Sequence, residues 1–117
     1  MKLIKKSDLN WQEFEDFSKG IFFNETEVSP PRVLAQAVKM KPHHQAKVHY
    51  HNKVVELFYG LKGKGYFLVN NAKRYIEPGD MLVIEPGEKH TVGNGTDGEF
   101  EFLAIKLNND PKDTNSE

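Results

Sequence analysis

The sequence predicts an all-β domain built as an antiparallel double sheet. Three observations carry that expectation. From Ile21 onward, short runs rich in β-branched and aromatic side chains alternate with turn residues. The breaks between those runs hold glycine, asparagine or proline, which accept the backbone angles of tight turns. A helical repeat of apolar residues is found in one N-terminal stretch and nowhere else. The chain has 117 residues, enough for one packed core and too few for two.

Taken in order, residues 1–20 are expected to pack on the barrel as an N-terminal segment. Trp11, Phe14 and Phe17 recur at three-residue steps among acidic residues, which reads as a short amphipathic helix capped near Ser7 or Asn10 and ended by Gly20. Residues 21–107 carry the barrel. Ile21-Phe22-Phe23 is a strand, Ser29-Pro30-Pro31 interrupts, and Arg32 to Lys41 alternates with Leu34, Gln36, Val38 and Met40 on one side. If that side faces inward, Gln36 is a buried polar group whose partner is either a bound ligand or a neighbouring backbone group.

Pro42 to Gln45 reads as a loop, Val54 to Leu61 as a strand, and Gly63-Lys64-Gly65 as a tight hairpin into Tyr66-Phe67-Leu68-Val69. Asn70-Asn71 makes the next turn, and Arg74-Tyr75-Ile76 leads to Pro78-Gly79-Asp80. Met81 to Ile84, an unbroken apolar run, reads as a fully buried strand. Glu85 to Lys89 turns the chain into His90, and Phe100 to Leu107 is the last strand. The tail, 108–117, is polar and proline-interrupted and is expected to be disordered. This amounts to roughly eight or nine strands joined by short turns.

Composition narrows the function. Sixteen basic residues against seventeen acidic ones give a net charge of -1, so the chain announces no surface for nucleic acid. The absence of cysteine excludes disulfides and thiolate metal sites. No apolar run is long enough for a signal peptide or a membrane span, and a cytoplasmic location is expected.

The chemistry concentrates in His49-Tyr50-His51-Asn52-Lys53-Val54-Val55-Glu56. On one strand His49 and His51 share a face, but the odd step to Glu56 would put the carboxylate on the other. A turn at Asn52-Lys53 corrects the parity and lets two imidazoles and a carboxylate converge, an arrangement suited to a divalent metal ion.

At this point the chain resembles the cupin superfamily of small jelly-roll β-barrels, over roughly Arg32 to Leu107. The first cupin motif is matched by His49, His51, Glu56 and Gly63, with four residues between the second histidine and the glutamate. The second is matched by Gly79, Gly87, His90 and Asn94. His43 stands where the first motif opens with glycine, and Glu85 stands where Pro-x-Gly opens with proline, Pro86 being displaced by one. The resemblance implies a cupin-type jelly roll and a metal held by His49, His51, Glu56 and His90. Three imidazoles and one carboxylate suit Fe, Mn, Ni, Co or Zn and leave coordination positions open. His43 and His44 match no ligand position and are expected at the surface or behind the ligands.

If Glu56 faces inward, so do Phe58 and Gly60, which become candidate pocket residues together with Gln36. Gly60 either enlarges the cavity or marks a bulge. Leu57, Tyr59 and Leu61 then face outward and are apolar enough to predict a homodimer. The superfamily includes dioxygenases, isomerases, decarboxylases, epimerases, storage proteins and sugar-sensing domains, so the resemblance implies no single activity. The reading is a metal-dependent enzyme acting on a small organic molecule, dioxygenase-like or of isomerase or lyase type. The alternative is a non-catalytic cupin that binds a metabolite or sugar. No general base is evident from sequence, Glu85, His43 and Tyr66 being only near the motif ends.

Overall fold

Side-chain alternation along eight-residue strands dictates the architecture. β3 (Val33–Met40), β6 (Val55–Lys62) and β11 (Phe100–Leu107) each place every second residue on one face. In the computed structural model, which describes residues 1–24 and 32–116, they lie side by side at the centre of a six-stranded antiparallel sheet. Its order is β1-β2-β3-β11-β6-β9, where β1 is Trp11–Glu13, β2 is Phe17–Phe23 and β9 is Met81–Ile84. The second sheet runs β12-β5-β10-β7-β8, with β4 also pairing with β10. Here β4 is His44–Gln45, β5 His49–Tyr50, β7 Gly65–Val69, β8 Ala72–Ile76, β10 His90–Asn94 and β12 Asn115–Ser116. Two facing antiparallel sheets of this order make the expected jelly roll.

Register fixes which side chains meet. On the inner face of the first sheet, Ala104 stands opposite Gln36 on one side and Phe58 on the other, and Phe102 opposite Val38 and Gly60. Phe67 projects from the second sheet to close the core. Its ring centroid lies 4.5 Å from that of Phe58 and 5.5 Å from that of Phe102. Phe67, Phe100 and Phe102 are buried, each stabilising the fold by about 1.5 to 3 kcal/mol. Among the described residues no helix is long and apolar enough to cross a membrane.

Four expectations change. The N-terminal helix is only a single 3-10 turn, Lys6–Asp8. The aromatic spacing of three belongs instead to a hairpin, in which Trp11 pairs opposite Gly20. Phe14 and Phe17 flank its turn, the Phe14 N–H donating to the Phe17 carbonyl at 2.8 Å and the rings stacking at 4.9 Å. Residues three apart across a tight turn face each other just as they do on a helix. β2 runs through residue 20, so the N-terminal segment shares a strand with the barrel. It also covers the sheet's outer face, through an ion pair from Lys6 to the buried Glu101 and the Lys39 ammonium 4.2 Å from the Trp11 ring.

Gly63-Lys64-Gly65 is not a hairpin between paired strands. β6 and β7 lie in different sheets, and the turn is the corner at which the chain changes sheet. Gly63 has φ 72° and a Cβ there would meet the Glu99 carbonyl oxygen, so only glycine turns this corner without strain. Met81–Ile84 is not fully buried. As the outermost strand of its sheet it has one neighbour, β6, and exposes Met81 and Val83 while burying Ile84. The tail forms β12 against β5, with Asn115 opposite Tyr50. Polar composition concealed this because its anchors are hydrogen bonds and not apolar contacts. The interruption expected at Ser29-Pro30-Pro31 lies outside the described residues.

Candidate metal centre

Four side chains converge from both sheets. His49 on β5 stands directly opposite His90 on β10 in the second sheet, while Glu56 comes from β6 in the first. His51 lies in the link between the sheets. One nitrogen or oxygen of each can be chosen so that all four lie within 4.8 Å of one another. His51 Nε2 is 2.6 Å and His90 Nε2 3.0 Å from the same oxygen, Glu56 Oε1. The His49 and His90 ring centroids are 4.3 Å apart. His51, Glu56 and His90 are buried and His49 is half-buried.

The turn that parity demanded is present at Asn52-Lys53, and the tail builds it. The Asp113 carboxylate accepts the Asn52 amide at 2.9 Å and the Lys53 amide at 2.8 Å. Those bonds, the Asn52 amide foremost, hold the Asp113 carboxyl below its ordinary range against the opposing effect of burial. Gly87, at φ 85°, donates its N–H to the His51 carbonyl at 2.6 Å, so the second motif's glycine turn also braces the first motif. Displacement of the proline to Pro86 leaves that turn in place, with the Glu88 N–H reaching the Glu85 carbonyl at 3.2 Å.

Each imidazole is oriented from behind by a backbone carbonyl. His49 Nδ1 lies 3.1 Å from the Lys47 oxygen, His51 Nδ1 2.6 Å from that of Asp113, and His90 Nδ1 2.8 Å from that of Glu88. A carbonyl only accepts, so each Nδ1 carries the proton and a neutral ring presents its Nε2 lone pair. Three lone pairs then converge on one carboxylate. Without a cation, Glu56 is satisfied only if an imidazole takes a second proton.

The electrostatics follow. Burial alone would raise the Glu56 pKa, but the close approach of His51 and the hydrogen bond to His90 hold it far below the ordinary carboxylate range. For His51 burial works downward, while the adjacent Glu56 carboxylate and the bond to the Asp113 carbonyl prevail and push its pKa up. Burial lowers that of His49. His51 Nε2 is buried and makes no aligned hydrogen bond, even though it lies 2.6 Å from Glu56. An orphaned imidazole nitrogen beside a buried carboxylate is the donor set a divalent transition ion satisfies, so the residues present fit such an ion.

A cavity of about 190 Å³ opens beside the cluster. His49, Glu56 and His90 line it, as do Gln36 and Phe58. Gly60 is not among its lining residues, and a Cβ there would sit 2.2 Å from the Glu77 carbonyl oxygen. The Glu77 backbone takes the space that a side chain at Gly60 would fill. A register irregularity beside it, where Lys62 pairs Glu101 and Gly60 pairs Phe102, is the bulge that its sequence suggested.

His43 and His44 are exposed. His43 Nε2 lies 2.5 Å from Asp97 and His44 Nδ1 2.8 Å from the Pro42 carbonyl. Tyr66 donates to Gln45 at 2.8 Å, and Glu85 is exposed. Asn94 closes the loop after β10, donating to the Met40 and Gly98 carbonyls and accepting from Thr96. Asp113 is the residue sequence reasoning missed. Asp110-Pro111 foretells a turn, but nothing local says that the next acid caps a loop sixty residues away. Asp113→Ala should weaken metal affinity by about ten-fold, by freeing the loop that carries His51. A competitive chelator titration measures this, and unchanged affinity would make the tail dispensable.

Comparison with known proteins agrees with the geometry. Residues 36–106 match the family model described as Cupin domain. An oxalate-binding protein of Thermotoga maritima is 32% identical over 72 residues, which make up 62% of this chain and 60% of that protein. The chain therefore matches less than two thirds of that curated relative's length. A Thermotoga maritima structure described as a predicted oxalate decarboxylase superposes with TM-score 0.83 at 22% identity, covering 91% of this chain and 98% of that one. The polyketide cyclase RemF from Streptomyces resistomycificus gives TM-score 0.85 at 17% identity, over 99% of this chain and 84% of that one. At these identities the two structures establish a shared fold.

Proposed function

The chain belongs to the cupin family, and from that premise we propose that it is a metal-dependent enzyme acting on a small organic molecule. One observation carries the reading: the imidazoles of His49, His51 and His90 gather around Glu56, and His49, Glu56 and His90 line a partly open cavity. These four residues would hold a divalent ion such as Fe, Mn, Ni, Co or Zn. When bound, the ion supplies Lewis acidity, and a redox-active one also supports oxygen chemistry.

The chain's own residues do the remainder. The backbone carbonyls of Lys47, Asp113 and Glu88 keep the imidazoles in their ligating tautomer. Phe58, Phe67 and Phe102 exclude water from the cavity wall. Apart from the cluster itself, the ionisable groups lining the cavity are Lys19 and Lys106. A proton moved during turnover would pass through one of these ammoniums or through a solvent molecule, since among the described residues no second carboxylate or free imidazole lines the space. That favours a lyase or isomerase reaction on an acid, and it also favours the second reading, a cupin that binds a metabolite without converting it. The name of the oxalate-binding relative leans the same way.

Elemental analysis of protein purified without an affinity tag tests the metal. About one transition ion per chain is expected, and loss of all metal after gentle dialysis would sink the reading. Turnover of small acids by the metal-loaded protein, with oxygen uptake followed alongside, separates lyase from oxygenase and both from a binding protein.

The outer face of β6 and the adjoining β9 support a homodimer. Tyr59 and Leu61 of β6 and Met81 and Val83 of β9 are all more than a third exposed, with Tyr59 opposite Met81 in register. A contiguous apolar face on an outermost strand invites pairing with a second copy. Sedimentation at micromolar concentration should give twice the monomer mass, and a monomer would refute the dimer.

A further inference from the structure

We propose that Lys19, Gln36 and Lys106 form a carboxylate-binding subsite in the cavity wall, so that the ligand of this site is a small organic acid with an apolar body. The three residues come from three strands of the first sheet and all point to its inner face. Lys19 on β2 stands opposite Val38, Gln36 on β3 opposite Ala104, and Lys106 on β11 opposite Glu56. Their inner-face neighbours Val38, Phe58, Phe102 and Ala104 are buried apolar core. Long polar side chains here serve no packing purpose that an aliphatic residue would not serve better.

All three line the cavity beside the metal cluster, and all three also line a second, more polar cavity of about 320 Å³. They therefore stand at the junction of the two, where a ligand entering from the outer cavity would leave its charged end.

Among the described residues the junction has no partners of its own. Neither lysine forms an ion pair among the described residues, and the Lys19 ammonium lies 5.3 Å from the centre of the Phe14 ring. Gln36 is 8% exposed, makes no side-chain hydrogen bond among the described residues, and keeps its Oε1 buried without a donor. The open atom is an acceptor, so an N–H or O–H must complete it, while the side-chain NH2 remains free to donate to a carboxylate oxygen. Lys19 has its pKa lowered by burial and then by Lys106, as expected of two ammoniums held near each other.

Among the described residues two carboxylates face the region. Glu56 is engaged by His51 and His90, and Asp110 lies on the outer cavity. The junction keeps an excess of positive charge. Two ammoniums offer charge-assisted bonds to an anion, and the Gln36 NH2 adds a neutral donor.

The subsite rests on the metal-centre reading only for which cavity wall the far end of the acid meets. Calorimetric titration of the metal-loaded full chain with benzoate against benzamide, and hexanoate against hexanamide, tests it. The acids should bind at least about ten-fold more tightly than the amides, the range that a charge-assisted hydrogen bond supplies. Lys19→Gln and Lys106→Gln should each reduce that preference and the double variant should remove it, whereas Lys106→Arg should retain it. Metal content is measured for every variant. Because Lys106 adjoins Glu56, Lys19→Gln, on a strand that carries none of the four cluster residues, decides the matter if the Lys106 variant loses metal. Equal affinity for acid and amide, a preference that survives the double substitution, or no binding of either acid at millimolar concentration would overturn the proposal. A chain that holds no metal yet prefers the acids would sink the metal reading and leave the subsite standing, and a metal-loaded chain without the preference would do the reverse.

Discussion

Glu56→Gln and His51→Ala should each lower metal affinity by more than about 100-fold, the upper end of what the loss of a mere supporting residue costs. Glutamine has nearly the shape of glutamate but lacks its charge, so this variant separates the anion from the packing. His51 sits 2.6 Å from Glu56 and is held from behind by the Asp113 carbonyl at 2.6 Å, leaving no nearby nitrogen to replace it. Chelator competition measures the loss. Affinity within about ten-fold of the unaltered chain would mean that the ion, if any, is held elsewhere.

The same pair predicts opposite pH trends with and without metal. In the metal-free protein, the His51 pKa is raised above its ordinary 6.5 and that of Glu56 is lowered below its ordinary 4.5. A raised imidazole stabilises the fold fully below 6.5 and loses that contribution as pH rises through its folded value. A lowered carboxyl stabilises above 4.5 and loses that contribution as pH falls through its folded value. The pair therefore stabilises the metal-free chain best between those two ordinary values. Metal binding requires neutral imidazoles, so affinity should decline as pH drops through the raised His51 value, by about ten-fold per pH unit for each proton displaced. His49, whose pKa burial lowers, adds its proton only at lower pH. Thermal melts of both forms across this range check the crossing, and parallel curves would refute it.

How much of this was legible beforehand depended on whether the deciding interaction was local. Parity along Val54 to Leu61 placed Glu56 and Phe58 inward and Tyr59 and Leu61 outward, because the strand period is set by the backbone alone. The convergence of His49, His51 and Glu56 followed from one turn, and His90 entered through the resemblance of two motifs. Four features were not legible. Trp11, Phe14 and Phe17 mimic a helix because a hairpin turn also brings residues three apart together. Met81 to Ile84 looks like a core strand because an edge strand that exposes apolar side chains has the same composition. Asp113 acts across sixty residues through two amide bonds, and a hydrogen-bonded anchor leaves no periodicity. Lys19 and Lys106 were invisible for a related reason: on a strand, a lysine that faces inward looks the same in sequence as one that faces water.

Gly60→Val should destabilise the protein by about 3 kcal/mol or more, the severe end of overpacking, out of a total of roughly 5 to 15. A Cβ at Gly60 would lie 2.2 Å from the Glu77 carbonyl oxygen and 2.8 Å from its carbon, backbone atoms that no rotamer change can move aside. The strand cannot retreat either. Gly60 donates its N–H to the Asp80 carbonyl at 2.9 Å and accepts the Gly79 N–H at 3.0 Å, so its backbone is tied to the same turn the side chain would strike. Relief would have to tear the Gly79-Asp80 turn away from β6 and, with it, the start of β9, whose Ile84 pairs opposite Glu56. Denaturant unfolding of the metal-free protein should show the lowered midpoint, and Gly60→Ala should already show much of it, since the β-carbon alone makes the clash. If instead Gly60→Ala were as stable as the unaltered chain and lost only ligand affinity, the missing side chain would be what keeps the cavity open, and the close approach of Glu77 would have no bearing on the glycine.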